Sequence, residues 1–386
     1  MKSNLTITAD AKKVPNQVPS NASGNKPMRI MKLKLAAAII ALSARAATTT
    51  VSGATIIWNG GDGTGTAIGA VTNWVGGVSP NSAAGDICQW DSTVPGNLLL
   101  TSTSANGNFN NGTPGVNFYI AAGHTGSWNL RSLIAGGSAN IALNATTLDS
   151  GAGAYSLGDA SANVLNIILR PSSSGGPPNS PIHTNLNNSA NAATIFPNVR
   201  YQSGGGNPHV VQFDGTGDWN VSNTLCMANG PATYFVKAGS GTWFWSANSI
   251  AGAAPSGGIA SPIDIEGGRL VITATSSLLT TQRITNNATL EYNAPAAQTL
   301  SGPFNGTNGT LIVSAGTLTL SSSQSDWTGN IVLTNGGVLV VGQDETLGPL
   351  LPKLSEGREA VGASDQNGPP AVLDIIPAGH DGDRGL

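Results

Sequence analysis

The chain has 386 residues, a formal net charge of −3 and only 10% charged residues, against about 25% in typical soluble domains. An apolar fraction of 39% with so little charge excludes a disordered chain, and the lack of a basic stripe excludes nucleic acid as a partner. Glycine is abundant, at 51 residues, which suits many short strands joined by tight turns.

Residues 1–46 read as an N-terminal extension followed by a signal peptide. Arg29, Lys32 and Lys34 supply positive charge, Leu35 to Leu42 an apolar core, and Ala44-Arg45-Ala46 a small-x-small cleavage site. A second cut is available after Ser52-Gly53-Ala54. The core falls short of the about 20 apolar residues that a permanent membrane helix needs, so no permanent transmembrane segment is expected. Residues 1–27 are polar and precede the signal, which places the expected start at Met28 or Met31. These features predict bacterial export to the cell surface or the medium. In that compartment a disulfide is permitted, but Cys88 and Cys226 are 138 positions apart and read better as two buried free thiols.

Residues 47–233 form a Trp-rich, β-rich region. Trp58, Trp74 and Trp90 recur at intervals of 16, each beside turn-forming residues. They are the candidate ligand-binding residues, as an exposed aromatic platform for sugar rings. The competing reading, which is preferred, buries all three as a cap on an apolar β-core. Short β-like runs follow at Val116 to Ala121 and Val164 to Leu169. The stretch from Pro171 to Pro181 has too many prolines for a central strand.

Residues 234–348 carry a repeat. Gly241-Thr242-Trp243-Phe244-Trp245 and Gly268-Arg269-Leu270-Val271-Ile272 share a small-x-apolar-x-apolar pattern with Gly309-Thr310-Leu311-Ile312-Val313 and with the segments at Leu290, Leu318 and Leu339. Leu270, Leu290 and Leu311 fall 20 and 21 residues apart, and Leu318 and Leu339 fall 21 apart. A fixed period of this size signals stacked coils. The reading is an all-β right-handed parallel β-helix, or β-solenoid, with an irregular Trp-rich N-terminal cap. Leu270, Leu290 and Leu311 should stack in one column, and Leu318 and Leu339 in a parallel one. The interval from Leu311 to Leu318 should hold two strands joined by a turn at Ser314-Ala315-Gly316. Residues 349–386, rich in proline, read as a loose tail or an incomplete last coil.

The repeat region resembles the autotransporter-associated β-strand repeat, also called the passenger-associated transport repeat. Lys237, Gly239, Gly241, Thr242 and Trp243 match its first half; Gly316, Thr317, Leu318, Leu320, Trp327, Thr328 and Gly329 match again. Gly336, Gly337, Leu339, Val341, Leu347 and Gly348 complete the second copy. The first copy lacks the Trp/Tyr-x-Gly turn and carries a longer loop. The resemblance covers roughly 30% of the chain. It implies a secreted, non-enzymatic surface protein serving adhesion or surface structure, with glycans or extracellular matrix as partners. Alternatives are a carbohydrate-active β-helix enzyme, a polysaccharide lyase or hydrolase, and a fragment of a larger passenger protein.

The residues offer little chemistry to set against that reading. His124, His183, His209 and His380 have no neighbour at metal-ligand spacing and are expected at the surface or in turns. Asp62, and the pair Asp214 and Asp218, sit in Gly-rich turns where a carboxylate ordinarily bonds the local backbone rather than Ca²⁺. A polysaccharide-cleaving solenoid would cluster carboxylates on one face. In a 20–21-residue repeat Glu266 instead maps near Asn286 or Asn287, and Glu291 onto Ile312. No metal, cofactor or catalytic residue is expected.

Overall fold

The computed structural model describes residues 53–341, apart from 62–65, 103–108, 110–113, 136, 170–181, 204–208, 223–233, 247–261, 275–282 and 323–325. The expected signal peptide and tail lie outside the described residues. Those described build a parallel β-solenoid: every pairing between their strands is parallel. Sheet 1 climbs from Thr55–Ile57 to Phe304–Asn305, and sheet 2 from Leu98–Ser102 to Asn330–Leu333. Sheet 3 closes the last coils with Gln298–Leu300, Thr317–Leu320 and Val338–Val341. Earlier coils are closed on the same side by the first half of Ser138–Leu148, by Val164–Leu169 and by Val199–Ser203. Strands lie about 4.8 Å apart, so the ten-strand path of sheet 1 rises roughly 43 Å.

Alternation fixes the interior. In each strand of sheet 2, residues two apart turn inward and meet their counterparts one coil away. One interior column runs through Trp128, Tyr155, Ala193, Trp219 and Trp243, then continues as Leu270, Leu290 and Leu311. The leucines are therefore in register as their spacing predicts, and Leu318 pairs with Leu339 on sheet 3. All five are at most 1% exposed. Burial on this scale stabilises by about 1.5–3 kcal/mol per large apolar side chain. The two strands between Leu311 and Leu318 are Thr310–Ala315 and Thr317–Leu320, hinged at Gly316 alone, whose φ is 61°.

The corner from sheet 1 to sheet 2 is short. Three residues separate Ile265 from Arg269, and two separate Asn286 from Thr289. Length variation falls between a strand of sheet 2 and the next strand of sheet 1: 12 residues separate Val221 from Tyr234, 17 separate Trp245 from Ile263, and 11 separate Ile272 from Ile284. Insertion there leaves the tight corner and its stacking intact. The pairing of Val210 with Tyr234 carries the stack without a break across the boundary between the Trp-rich and repeat regions.

Candidate functional site

The three candidate tryptophans come together, but inside. Trp58 and Trp74 are fully buried and Trp90 is 1% exposed. Their ring centroids lie 4.9 Å (Trp58–Trp74), 5.6 Å (Trp74–Trp90) and 6.3 Å (Trp58–Trp90) apart. Trp58 and Trp90 stack one coil apart, because Ile57 pairs with Gln89. Trp74 reaches them from between two single-turn 3-10 segments, Val71–Asn73 and Val75–Gly77. The interval of 16 is thus half of an opening coil. Trp74 Nε1 donates to the Ile68 carbonyl at 2.9 Å. A buried indole presents no face to a sugar ring, so Trp58, Trp74 and Trp90 take the buried arrangement of the preferred reading and not that of a surface platform. Edge-to-face packing and area burial account for their convergence.

The turn Asp214-Gly215-Thr216-Gly217-Asp218 spends its carboxylates locally. Asp214 accepts from the Gly215 amide at 2.6 Å and from Gln212 Nε2 at 2.8 Å. Asp218 accepts from the Thr242 amide, one coil on, at 2.7 Å. Among the described residues no group of three His, Cys, Asp or Glu side chains stands close enough to hold a metal ion. Asp62 lies outside the described residues, as do Cys226 and His380. Cys88 is buried with its thiol pKa pushed up, first by desolvation and then by Asp86.

The same corner explains Lys237. Strand alternation turns its side chain inward, between Phe213 and Ile265 in the column. The ammonium bends back to the corner and donates to the carbonyls of Ala238, Gly239 and Gly267. Burial pulls its pKa down to about 8, and Asp214 and then Asp218 oppose that fall. Two coils away on either side the same column holds amides: Asn185 Nδ2 donates to the Gln212 carbonyl, and Asn286 Nδ2 to that of Thr310. The Lys-x-Gly pattern is a device for closing a tight corner, visible in the sequence only as a motif.

His124, His183 and His209 are all buried, at 0%, 2% and 4% exposure, rather than at the surface; His124 does close a turn onto the Ala121 carbonyl, whereas His183 lies in the strand Ile182–Asn187. His124 Nδ1 lies 2.7 Å from the Val94 carbonyl, and desolvation lowers its pKa despite that contact and nearby Asp91. Desolvation likewise lowers His183 to about 4.

The acidic side chains are dispersed. Asp264 pairs with Arg283 at 3.6 Å. Glu291 pairs with Arg269 and accepts from Ser314 Oγ at 2.6 Å. It stands on the outer face opposite Ile312, as the repeat length predicts, but these neighbours cover it to 4% exposure. On that outer face of sheet 2, one residue per coil forms a column from Asn129 through Ser156, Thr194 and Asn220 to Phe244. Asn129 Nδ2 donates to Ser156 Oγ at 2.7 Å, Asn220 is exposed, and Phe244 is 36% exposed.

Comparison with protein-family models, with curated proteins and with solved structures finds no match.

Proposed function

We propose that this chain is an exported, non-enzymatic β-solenoid of the autotransporter-associated repeat type, whose task is to present a long surface for adhesion or for cell-surface structure. The observation that carries the proposal is the outer column of sheet 2. Within it, between Leu99 and Val271, Asn129, Ser156, Thr194 and Asn220 repeat uncharged hydrogen-bonding side chains at the strand spacing of about 4.8 Å, followed by the exposed ring of Phe244. Such a face suits a neutral polymer such as a glycan, with contacts that are individually weak and gain from repetition. The signal-like N-terminus and the Lys-x-Gly corner support the family reading. No helix of the described residues is long and apolar enough to cross a membrane.

The test is a glycan array and a polysaccharide-degradation screen on the full chain. The expected outcome is weak, avidity-dependent glycan binding that drops on changing Asn220 or Phe244 to Ala, with no release of reducing ends. Turnover abolished by changing a single carboxylate would replace this reading with the enzyme. Glycan binding indifferent to both substitutions would move the contact to another face.

A further inference from the structure

Asparagine followed by glycine is chemically the least durable pair in a polypeptide. The glycine's backbone nitrogen can attack the asparagine side chain, because no Cβ stands in the way. The sequence has eight such pairs. Four lie among the described residues: Asn59-Gly60, Asn305-Gly306, Asn308-Gly309 and Asn335-Gly336. The fold treats them unequally.

Three are held in place. The Gly60 amide donates to the Asn73 carbonyl at 3.3 Å, and Asn59 Oδ1 accepts from the Gly61 amide at 3.1 Å. The Gly306 amide donates to the Asp326 carbonyl at 3.2 Å, and Asn305 Oδ1 accepts from the Asp326 amide at 2.9 Å. Gly309 is buried, and its carbonyl accepts from the Asn330 amide. A Cβ at Gly309 would stand 2.3 Å from the Asn286 carbonyl oxygen on the coil before. Backbone so confined cannot swing to meet the side chain.

The fourth is free. The strand Asn330–Leu333 crosses to Val338–Val341 through Thr334-Asn335-Gly336-Gly337. Asn335 has a φ of 51° and Gly336 a φ of 79°, and the Gly337 amide closes the turn on the Thr334 carbonyl at 2.8 Å. This is a type I′ turn, whose two left-handed positions favour Asn-Gly. The coil before turns the same corner with Gly316 alone between its strands. Thr334 and Val338 carry the stack onward by donating to the Val313 and Gly316 carbonyls. The two residues between them stand clear of it. Asn335 and Gly336 are exposed, and nothing lies within 4 Å of a Cβ built on Gly336. The Gly336 amide closes no hydrogen bond among the described residues.

We propose that Asn335 is a site of spontaneous covalent modification, converting through a succinimide to aspartate and isoaspartate, and that it converts first among the four described Asn-Gly pairs. The Gly336 nitrogen gives up its proton and bonds to Asn335 Cγ. The side-chain nitrogen leaves with a proton as ammonia, and the ring closes. Water then opens the ring at either carbonyl. The net change takes in one water, releases one ammonia and leaves a carboxylate. It adds one negative charge to a chain whose formal net charge is −3. The isoaspartate product also lengthens the backbone of the turn.

The test follows the full folded chain in mildly alkaline buffer over weeks. Peptide mass spectrometry reads conversion at each asparagine, and labelling by an isoaspartate methyltransferase identifies the rearranged product. Asn335 should convert at least about fivefold faster than Asn59 and Asn305, the factor that one amide hydrogen bond is worth, and faster than Asn308. In urea the four rates should draw together, since no turn or stack then distinguishes them. Gly336→Ala should slow conversion at Asn335 and leave the other three unchanged. Conversion of Asn59, Asn305 or Asn308 ahead of Asn335 in the folded chain overturns the proposal. So do equal rate ratios in buffer and in urea, because the ranking would then belong to the sequence and not to the fold. Both readings come from the wild type, whether or not the variant folds.

Discussion

Lys237 shows how one side chain can hold a corner. Three backbone carbonyls depend on its ammonium, two on its own coil and one on the next. Replacing it with Met keeps the volume and removes all three donors. Buried groups that lose a charged partner are costly, so Lys237→Met should destabilise by about 2–4 kcal/mol, read as a lower urea midpoint with an unchanged slope. His183 sets a pH dependence of definite sign. Its folded pKa, about 4, lies below the ordinary value of 6.5, so between these values the unfolded chain binds a proton that the folded chain refuses. Stability should therefore fall as pH drops from 6.5 towards 4, by about 3 kcal/mol from this residue, and level off below. His124 adds to the slope in the same direction. A His183→Gln variant that keeps the full wild-type slope would contradict this assignment.

At the scale of the strand and the turn, two glycines with similar backbone make opposite forecasts. Gly239 has a φ of +66°, and a Cβ there would stand 2.4 Å from both the N and the O of Gly215 on the coil before. Gly336 has a φ of +79° and nothing within 4 Å of the same position. Gly336→Ala should cost about 1 kcal/mol, from the left-handed backbone alone. Gly239→Ala should cost several times as much, because the coils cannot stack closely at that corner; thermal melts of the two variants give the comparison. Strand register was legible only where coils lack insertions. From Leu270 onward the 20- and 21-residue spacing survives, and the columns could be drawn from it. Thr147 and Leu186 are register partners 39 residues apart, and the length of the intervening chain hides the period. Alternation itself misleads in Ile182–Asn187. There Ile182 is 36% exposed while His183, Asn185 and Asn187 are buried, because the column they join already holds Asn144 and Thr146 above them. Reading apolar residues as inward would turn this strand over. The three tryptophans were legible as a group and, in the preferred reading, as a cap. What spacing alone could not tell was that Trp58 and Trp90 stack directly while Trp74 enters from mid-coil.

For the whole molecule, the solenoid makes stability a sum of coils and the contacts between them. The proposed export route adds a prediction that does not depend on packing. The mature protein should begin at Ala47, or at Thr55 if the second cleavage site is used, and N-terminal sequencing of secreted material decides it. Recovery of exported chains that still carry Asn4 or Lys12 would remove the signal-peptide reading while leaving the fold untouched.

The aromatic filling of the earlier coils has an optical consequence. Of the eight tryptophans, seven lie at or before residue 245, and Trp327 stands alone in the later coils. From Trp58 to Trp245 the rings succeed one another at centroid distances between 4.6 and 6.3 Å, by way of Tyr155 and Phe213. At such distances Tyr155 and Phe213 hand excitation to their tryptophan neighbours, and it passes between indoles within the group of Trp58, Trp74, Trp90 and Trp128 and within the pair Trp243 and Trp245. The protein's ultraviolet emission is therefore a collective property of one end of the stack, while the leucine-lined end is almost dark and speaks only through Trp327 beside Phe304. Emission follows the melting of the tryptophan end, and circular dichroism follows every strand. A gap between their two midpoints would measure how far the molecule departs from all-or-none unfolding, with no label attached.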